Sequence, residues 1–222
     1  MVRLRANMNN PIVVGLVGGV ASGKSEVSRQ LQSHGAHVVH ADAIGHEVLR
    51  EPDVREALVI HFGNSILSAD ATEIDRSQLA KRVFGDDPAI VSERRHLESI
   101  VHPRIRQRIA DALDAARRAS EFWLIVLDVP LLIESGWIES CQRVIMVEAE
   151  EAIRLSRAMD RGWTESAFRE RERSQTSLAA KRAAATDIID NSGSMESLRE
   201  QVVELVASMR QQFEAIARTG SS

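Results

Sequence analysis

The chain has 222 residues, 44% hydrophobic and 27% charged, a balance that excludes a disordered polymer and fits either one large domain or a core with an inserted subdomain. Its formal charge of −4 argues against a broad nucleic-acid-binding face. Cys141 is its one cysteine, which excludes an intrachain disulfide framework or a multi-cysteine zinc site and fits a reducing, cytoplasmic setting.

Residues 1–10 hold Arg3, Arg5 and three asparagines without an apolar stretch, so no secretion signal is expected. Ile12 to Val17 is a β-branched, apolar run ending in glycines, the pattern of a buried strand. Ser25 to His34 then reads as a helix, with Val27 and Leu31 one turn apart and Gly35 closing it. His37 to His40 is a second strand. Residues 44–120 show little strand character and are too long for a plain crossover, so an inserted helical subdomain is expected there. Within it Leu97, Ile100 and Val101 have helical spacing, a break is expected at Pro103, and Ile105, Ile109 and Leu113 resume the pattern.

Leu124 to Leu127, Arg143 to Val147 and Asp187 to Ile189 supply three further strands. The apolar run around the first of them, Phe122 to Ile133, is interrupted by Asp128 and Pro130 and falls short of the roughly 20 residues a bilayer crossing needs. No membrane partner is expected. Residues 154–182 gather eight basic side chains against four acidic ones, a local positive field suited to a short polyanion. The last segment is the clearest helix, with Ser194 as N-cap and Leu198, Val202, Leu205, Met209, Phe213 and Ile216 on one stripe. Five strands alternating with helices imply an α/β fold built on a mostly parallel sheet.

The chemistry concentrates at Gly18-Gly19-Val20-Ala21-Ser22-Gly23-Lys24-Ser25, which fits G-x-x-x-x-G-K-[ST] between a strand and a helix. Glycines let backbone N–H groups turn onto phosphate oxygens, and the helix N-terminus adds partial positive charge. Lys24 reaches the β- and γ-phosphates, and the Ser25 hydroxyl is a ligand for Mg²⁺. Asp42, just past the second strand, is either a base for an attacking hydroxyl or an N-cap for a helix starting near Ile44. Asp128 ends the third strand, where it is either a Mg²⁺ ligand or a turn residue. Glu134 is a second polar wall of that site or a surface residue. His102 reads as a structural histidine at the expected helix break. Arg157, Arg161 and Arg171 are either a cover for a triphosphate or a salt-bridged face.

Taken in order, these residues resemble the dephospho-CoA kinase family from Ile12 to about Gln201. The resemblance rests on Gly18-Gly19, Ala41-Asp42-Ala43-Ile44 with His46, Arg76, Leu79, Val83-Phe84 and His102-Pro103-Arg104-Ile105. It continues through Asp128-Val129-Pro130-Leu131-Leu132-Ile133-Glu134, Gln175, Lys181 and Asp187-Ile188-Ile189-Asp190-Asn191. It implies a kinase core of residues 12–43 and 121–222 with a five-stranded parallel sheet, a helical CoA-binding subdomain at 44–120, and a lid at 154–182. The implied reaction is ATP-dependent phosphorylation of the ribose 3′-hydroxyl of dephospho-CoA, with Mg²⁺ as cofactor. Asp42, Lys24 and Arg157 would be catalytic. Gly19, Val20, Ala21, Ser22, Gly23, Lys24, Ser25, Glu26 and Arg161 would hold ATP. Arg76, His102, Pro130 and Leu131, with Asp42, would hold the acceptor, and Ser25 and Asp128 the metal. The alternative is a related kinase acting on a nucleoside monophosphate or a sugar acid. His40 stands where the family carries a first acid, and Val20-Ala21 where it carries Ile-Gly.

Overall fold

The computed structural model describes residues 11–85, 87–119 and 121–219, so the N-terminal stretch read for a secretion signal lies outside it. Its elements run β1 (Ile12–Gly18), α1 (Lys24–Ser33), β2 (His37–His40), α2 (Ala41–Val48), α3 (Pro52–Phe62), α4 (Arg76–Val83) and α5 (Pro88–Ala119), followed by β3 (Leu124–Asp128), β4 (Arg143–Glu148), α6 (Glu151–Asp160), α7 (Glu165–Arg173), α8 (Leu178–Ala184), β5 (Asp187–Asp190) and α9 (Met195–Thr219). The described residues divide into two compact units, Ala41–Ala112 and the remainder.

In the larger unit all four strand pairings are parallel and the order is β2-β3-β1-β4-β5. Every residue of β1 is buried, which is why the strand is apolar throughout rather than alternating. Ile12, Val14 and Leu16 pack with Val27 and Leu31 of α1 and with Leu198, Val202, Met209 and Phe213 of α9. Each fully buried aliphatic side chain of this kind contributes about 1.5–3 kcal/mol. Ser194 Oγ accepts from Ser197 N at 3.1 Å, so α9 begins at the cap read from sequence. Ile216 departs from the expected stripe: at 37% exposure it lies beyond the core that Phe213 closes.

The smaller unit is helical. Val48, Val54, Leu58, Phe62, Ile66, Leu79, Val83 and Val101 form its core. Asp75 caps α4 through bonds from Ser77 N at 2.9 Å and Gln78 N at 3.2 Å. The break expected at Pro103 is absent, because α5 runs through it. Leu97, Ile100 and Val101 before the proline and Ile105 after it pack on one cluster. Arg104 and Arg108 pair with Glu51, Arg104 at 2.7 Å and Arg108 at 2.6 Å. Packing on both sides therefore outweighs the hydrogen bond that proline removes. No described helix is long and apolar enough to cross a membrane.

Candidate active site

β1 ends at Gly18, and the chain turns through residues 19–23 into α1. Ser22 N donates to Gly19 O at 3.2 Å, closing the turn. Two positions adopt left-handed backbone, Gly23 at φ 95° and Ala21 at φ 57°. Gly23 needs glycine twice over, since a Cβ there would also collide with the Asn191 side-chain amide. Ala21 accepts the strain of a left-handed residue, about 1–2 kcal/mol. A Cβ on Gly18 would stand 2.5 Å from Val147 O, so the strand can turn this tightly only on glycine. Lys24 and Ser25 occupy the first turn of α1, where helix N–H groups and the dipole favour an anion. The Glu26 carboxylate is turned onto its own helix by Arg29 at 2.6 Å and Gln30 at 2.7 Å.

Behind the loop lie buried polar groups. Asn191 Nδ2 donates to Ser22 O at 2.8 Å, and Lys181 Nζ donates to Gly18 O at 3.2 Å and to Gln175 Oε1 at 2.6 Å. Arg154 bonds Ala149 O at 3.0 Å and Val20 O at 3.4 Å and pairs with Glu172. Arg157 donates to Asn191 O at 2.9 Å and Ser22 O at 3.4 Å, so it stands against the loop. Burial lowers the Lys181 pKa, opposed by the nearby Glu134 and Glu172 carboxylates. Sequence reading gave Arg154 no role beyond its charge. The available signal was its place on the face of α6 shared with Ala158, where an apolar residue is expected.

At the carboxyl ends of β2 and β3, His40 Nδ1 lies 3.4 Å from Asp128 Oδ2. Pro130 and Leu131 are exposed in the turn that follows β3. Glu134 accepts from Thr176 N at 2.7 Å, tying this turn to the stretch between α7 and α8. Burial pushes its carboxyl up, yet the hydrogen bonds from Thr176 outweigh that and hold its pKa below the ordinary value. Arg161 is exposed at the end of α6, and the Arg171 guanidinium stacks over Trp163 at 3.7 Å.

In the helical unit Asp42 and Arg76 line one hollow of about 270 Å³, with His46, Leu79, Leu97 and Val101. Helix α2 starts at Ala41, so Asp42 lies inside its first turn and no helical N–H bonds its carboxylate among the described residues. The capping alternative does not hold. His102 is exposed on the continuous α5 and does not line that hollow. Its expected position at a helix break is thereby corrected too.

A five-stranded parallel sheet whose first strand enters G-x-x-x-x-G-K-S and a helix defines an α/β fold of the P-loop kinase class. The family model for dephospho-CoA kinase matches residues 12–197. The dephospho-CoA kinase of Shouchella clausii is 38% identical over 87% of this chain and 96% of its own length. That of Deinococcus radiodurans is 39% identical over 91% and 93%. Among solved structures, a Thermus thermophilus protein superposes with a TM-score of 0.73 at 32% identity, covering 90% of this chain and 97% of that one. The dephospho-CoA kinase of Campylobacter jejuni gives 0.66 at 25% identity, covering 89% and 96%. The chain belongs to the dephospho-CoA kinase family and is an ATP-dependent phosphotransferase.

Proposed function

We propose that this chain moves the γ-phosphoryl group of ATP to the ribose 3′-hydroxyl of dephospho-CoA, with Asp42 as the base. The observation that carries the assignment of Asp42 is its company in the hollow: a carboxylate and the Arg76 guanidinium face one space walled by Leu79, Leu97 and Val101. An acceptor with a phosphate-bearing nucleoside and a less polar arm matches such a lining. The unit 41–112 would thus receive the CoA moiety, and Pro130 and Leu131, exposed in the turn after β3, are acceptor contacts that the family resemblance alone implies. His102, exposed on α5, is retained as an acceptor contact on the resemblance alone.

The left-handed Gly23 and the start of α1 support a phosphate cradle made of residues 19–25. Lys24 neutralises charge on the β- and γ-phosphates, and Arg157, already against the loop, stabilises charge spreading over the transferred group. Arg161 covers the nucleotide, and the basic segment 154–182 acts as the lid that excludes competing water. The Ser25 hydroxyl and the Asp128 carboxylate are hard oxygen donors, a set that suits Mg²⁺ completed by phosphate oxygens and water. When bound, Mg²⁺ would supply neutralisation of phosphate charge. Asp42 takes the proton of the 3′-hydroxyl and orients its oxygen for in-line attack. We assign the reaction to the cytoplasm, where a lone thiol stays reduced. Burial also pushes the Cys141 thiol up to about 12, so it stays neutral at working pH.

Turnover of ATP and dephospho-CoA by Asp42→Asn tests the central role. A loss of at least about 100-fold in kcat with little change in ATP affinity is expected for a positioned base. Unchanged turnover would remove Asp42 from the mechanism.

A further inference from the structure

Few polar side chains are buried among the described residues, and Lys181, Arg154 and Asn191 are three of them. All three spend donors on one short stretch of backbone, and on alternate carbonyls of it. Lys181 Nζ takes Gly18 O at 3.2 Å, Arg154 takes Val20 O at 3.4 Å, and Asn191 Nδ2 takes Ser22 O at 2.8 Å. They arrive from α8, from α6 and from the end of β5. Burying a lysine and an arginine is a poor way to gain stability, because apolar residues of similar volume usually do as well or better. Their common target suggests a different use.

We propose that these three residues form a clamp that sets the nucleotide loop from behind, acting as positioning residues for ATP. In a trans peptide the carbonyl oxygen and the next N–H point to opposite sides. Holding Ser22 O on Asn191 therefore turns the Gly23 N–H the other way, and holding Val20 O on Arg154 does the same for Ala21 N–H. Lys181 fixes the root of the loop, where it leaves β1. Within the loop itself one backbone bond, Ser22 N to Gly19 O, restrains the turn, and Ala21 and Gly23 both sit in left-handed backbone. A loop with a left-handed alanine and so few bonds of its own needs outside partners to stay in one conformation. Fixing it before ATP arrives removes an ordering cost from binding.

The inference rests on the loop being the ATP cradle, and the test separates the two. Mg-ATP affinity is measured by calorimetry on the full chain for wild type, Lys24→Ala, Asn191→Asp, Asn191→Ala, Lys181→Met and Lys181→Arg. The KM values for ATP and dephospho-CoA and the melting temperature are followed alongside. Asn191→Asp, which sets an acceptor against Ser22 O, should weaken ATP binding at least about tenfold, the worth of one lost hydrogen bond near 1.4 kcal/mol. The dephospho-CoA KM should move less than about twofold. Asn191→Ala removes the donor without adding repulsion and gives the same reading should the aspartate variant fail to fold. Lys181→Met should weaken ATP binding, and Lys181→Arg should restore most of it. Equal rises in both KM values, or a fall in melting temperature with ATP affinity intact, would overturn the clamp. Lys24→Ala with undiminished ATP affinity would instead overturn the loop reading and the clamp with it.

Discussion

At Gly23 two independent demands meet, a backbone at φ 95° and the Asn191 side-chain amide lying where a Cβ would go. Gly23→Ala must both force alanine into a left-handed conformation and push Asn191 off Ser22 O. The first costs about 1–2 kcal/mol and the second about 1 kcal/mol more. Chemical denaturation should therefore show a loss of at least about 2 kcal/mol, accompanied by loss of Mg-ATP binding. A variant as stable as wild type would mean that the turn accommodates a side chain at position 23. The glycines and Lys24 were legible in the sequence because their roles depend on neighbours a few positions away. Arg154 was not, since its burial depends on Val20 and Glu172, which only the fold brings to it.

Among the elements, β1, β3 and β4 could be read because a strand covered on both faces needs a nearly unbroken apolar run, while the edge strands β2 and β5, with one buried residue each, showed only as the short pairs Val38-Val39 and Ile188-Ile189. Helix α5 could not be read in full. Pro103 signals a break locally, while the residues that carry the helix across it act through contacts with α2, α3 and α4. Pro103→Ala should accordingly raise stability, by about 1–3 kcal/mol, as the missing N–H is restored to a helix that already exists. An unchanged or lower midpoint in urea would show that the proline is neutral or useful there. The pairing of β4 with β5 offers a second test. Arg143 Nε donates to Asp187 Oδ2 at 2.8 Å, and Thr186 Oγ1 to the same oxygen at 2.6 Å. Burial pushes the Asp187 carboxyl up, but these bonds outweigh it and leave its pKa below the ordinary 3.8. A depressed carboxylate contributes stability above its unfolded pKa and loses it as pH falls through the folded value. Asp187→Asn should cost about 1–3 kcal/mol at pH 7, with the gap to wild type closing below about pH 4. A gap that stays constant as the pH falls through the acid range would show that the charge is not its source.

At the scale of the whole molecule, one compact unit holds the sheet with the G-x-x-x-x-G-K-S turn at the carboxyl end of β1, and the other, helical, carries Asp42. The turn after β1 could be read from eight consecutive residues, whereas the hollow at Asp42 draws on α2, α4 and α5 and had no local signature. Of the acceptor residues that the resemblance implied, Asp42 and Arg76 line that hollow, whereas His102, Pro130 and Leu131 do not. The most direct measurement of the proposed reaction follows where the phosphate ends up. ATP and dephospho-CoA incubated with the protein and followed by phosphorus NMR should give ADP and CoA in equal amounts, with the new phosphate on the ribose 3′-oxygen and none transferred to a 3′-deoxy acceptor. ADP without CoA, or equal phosphorylation of the 3′-deoxy acceptor, would contradict it.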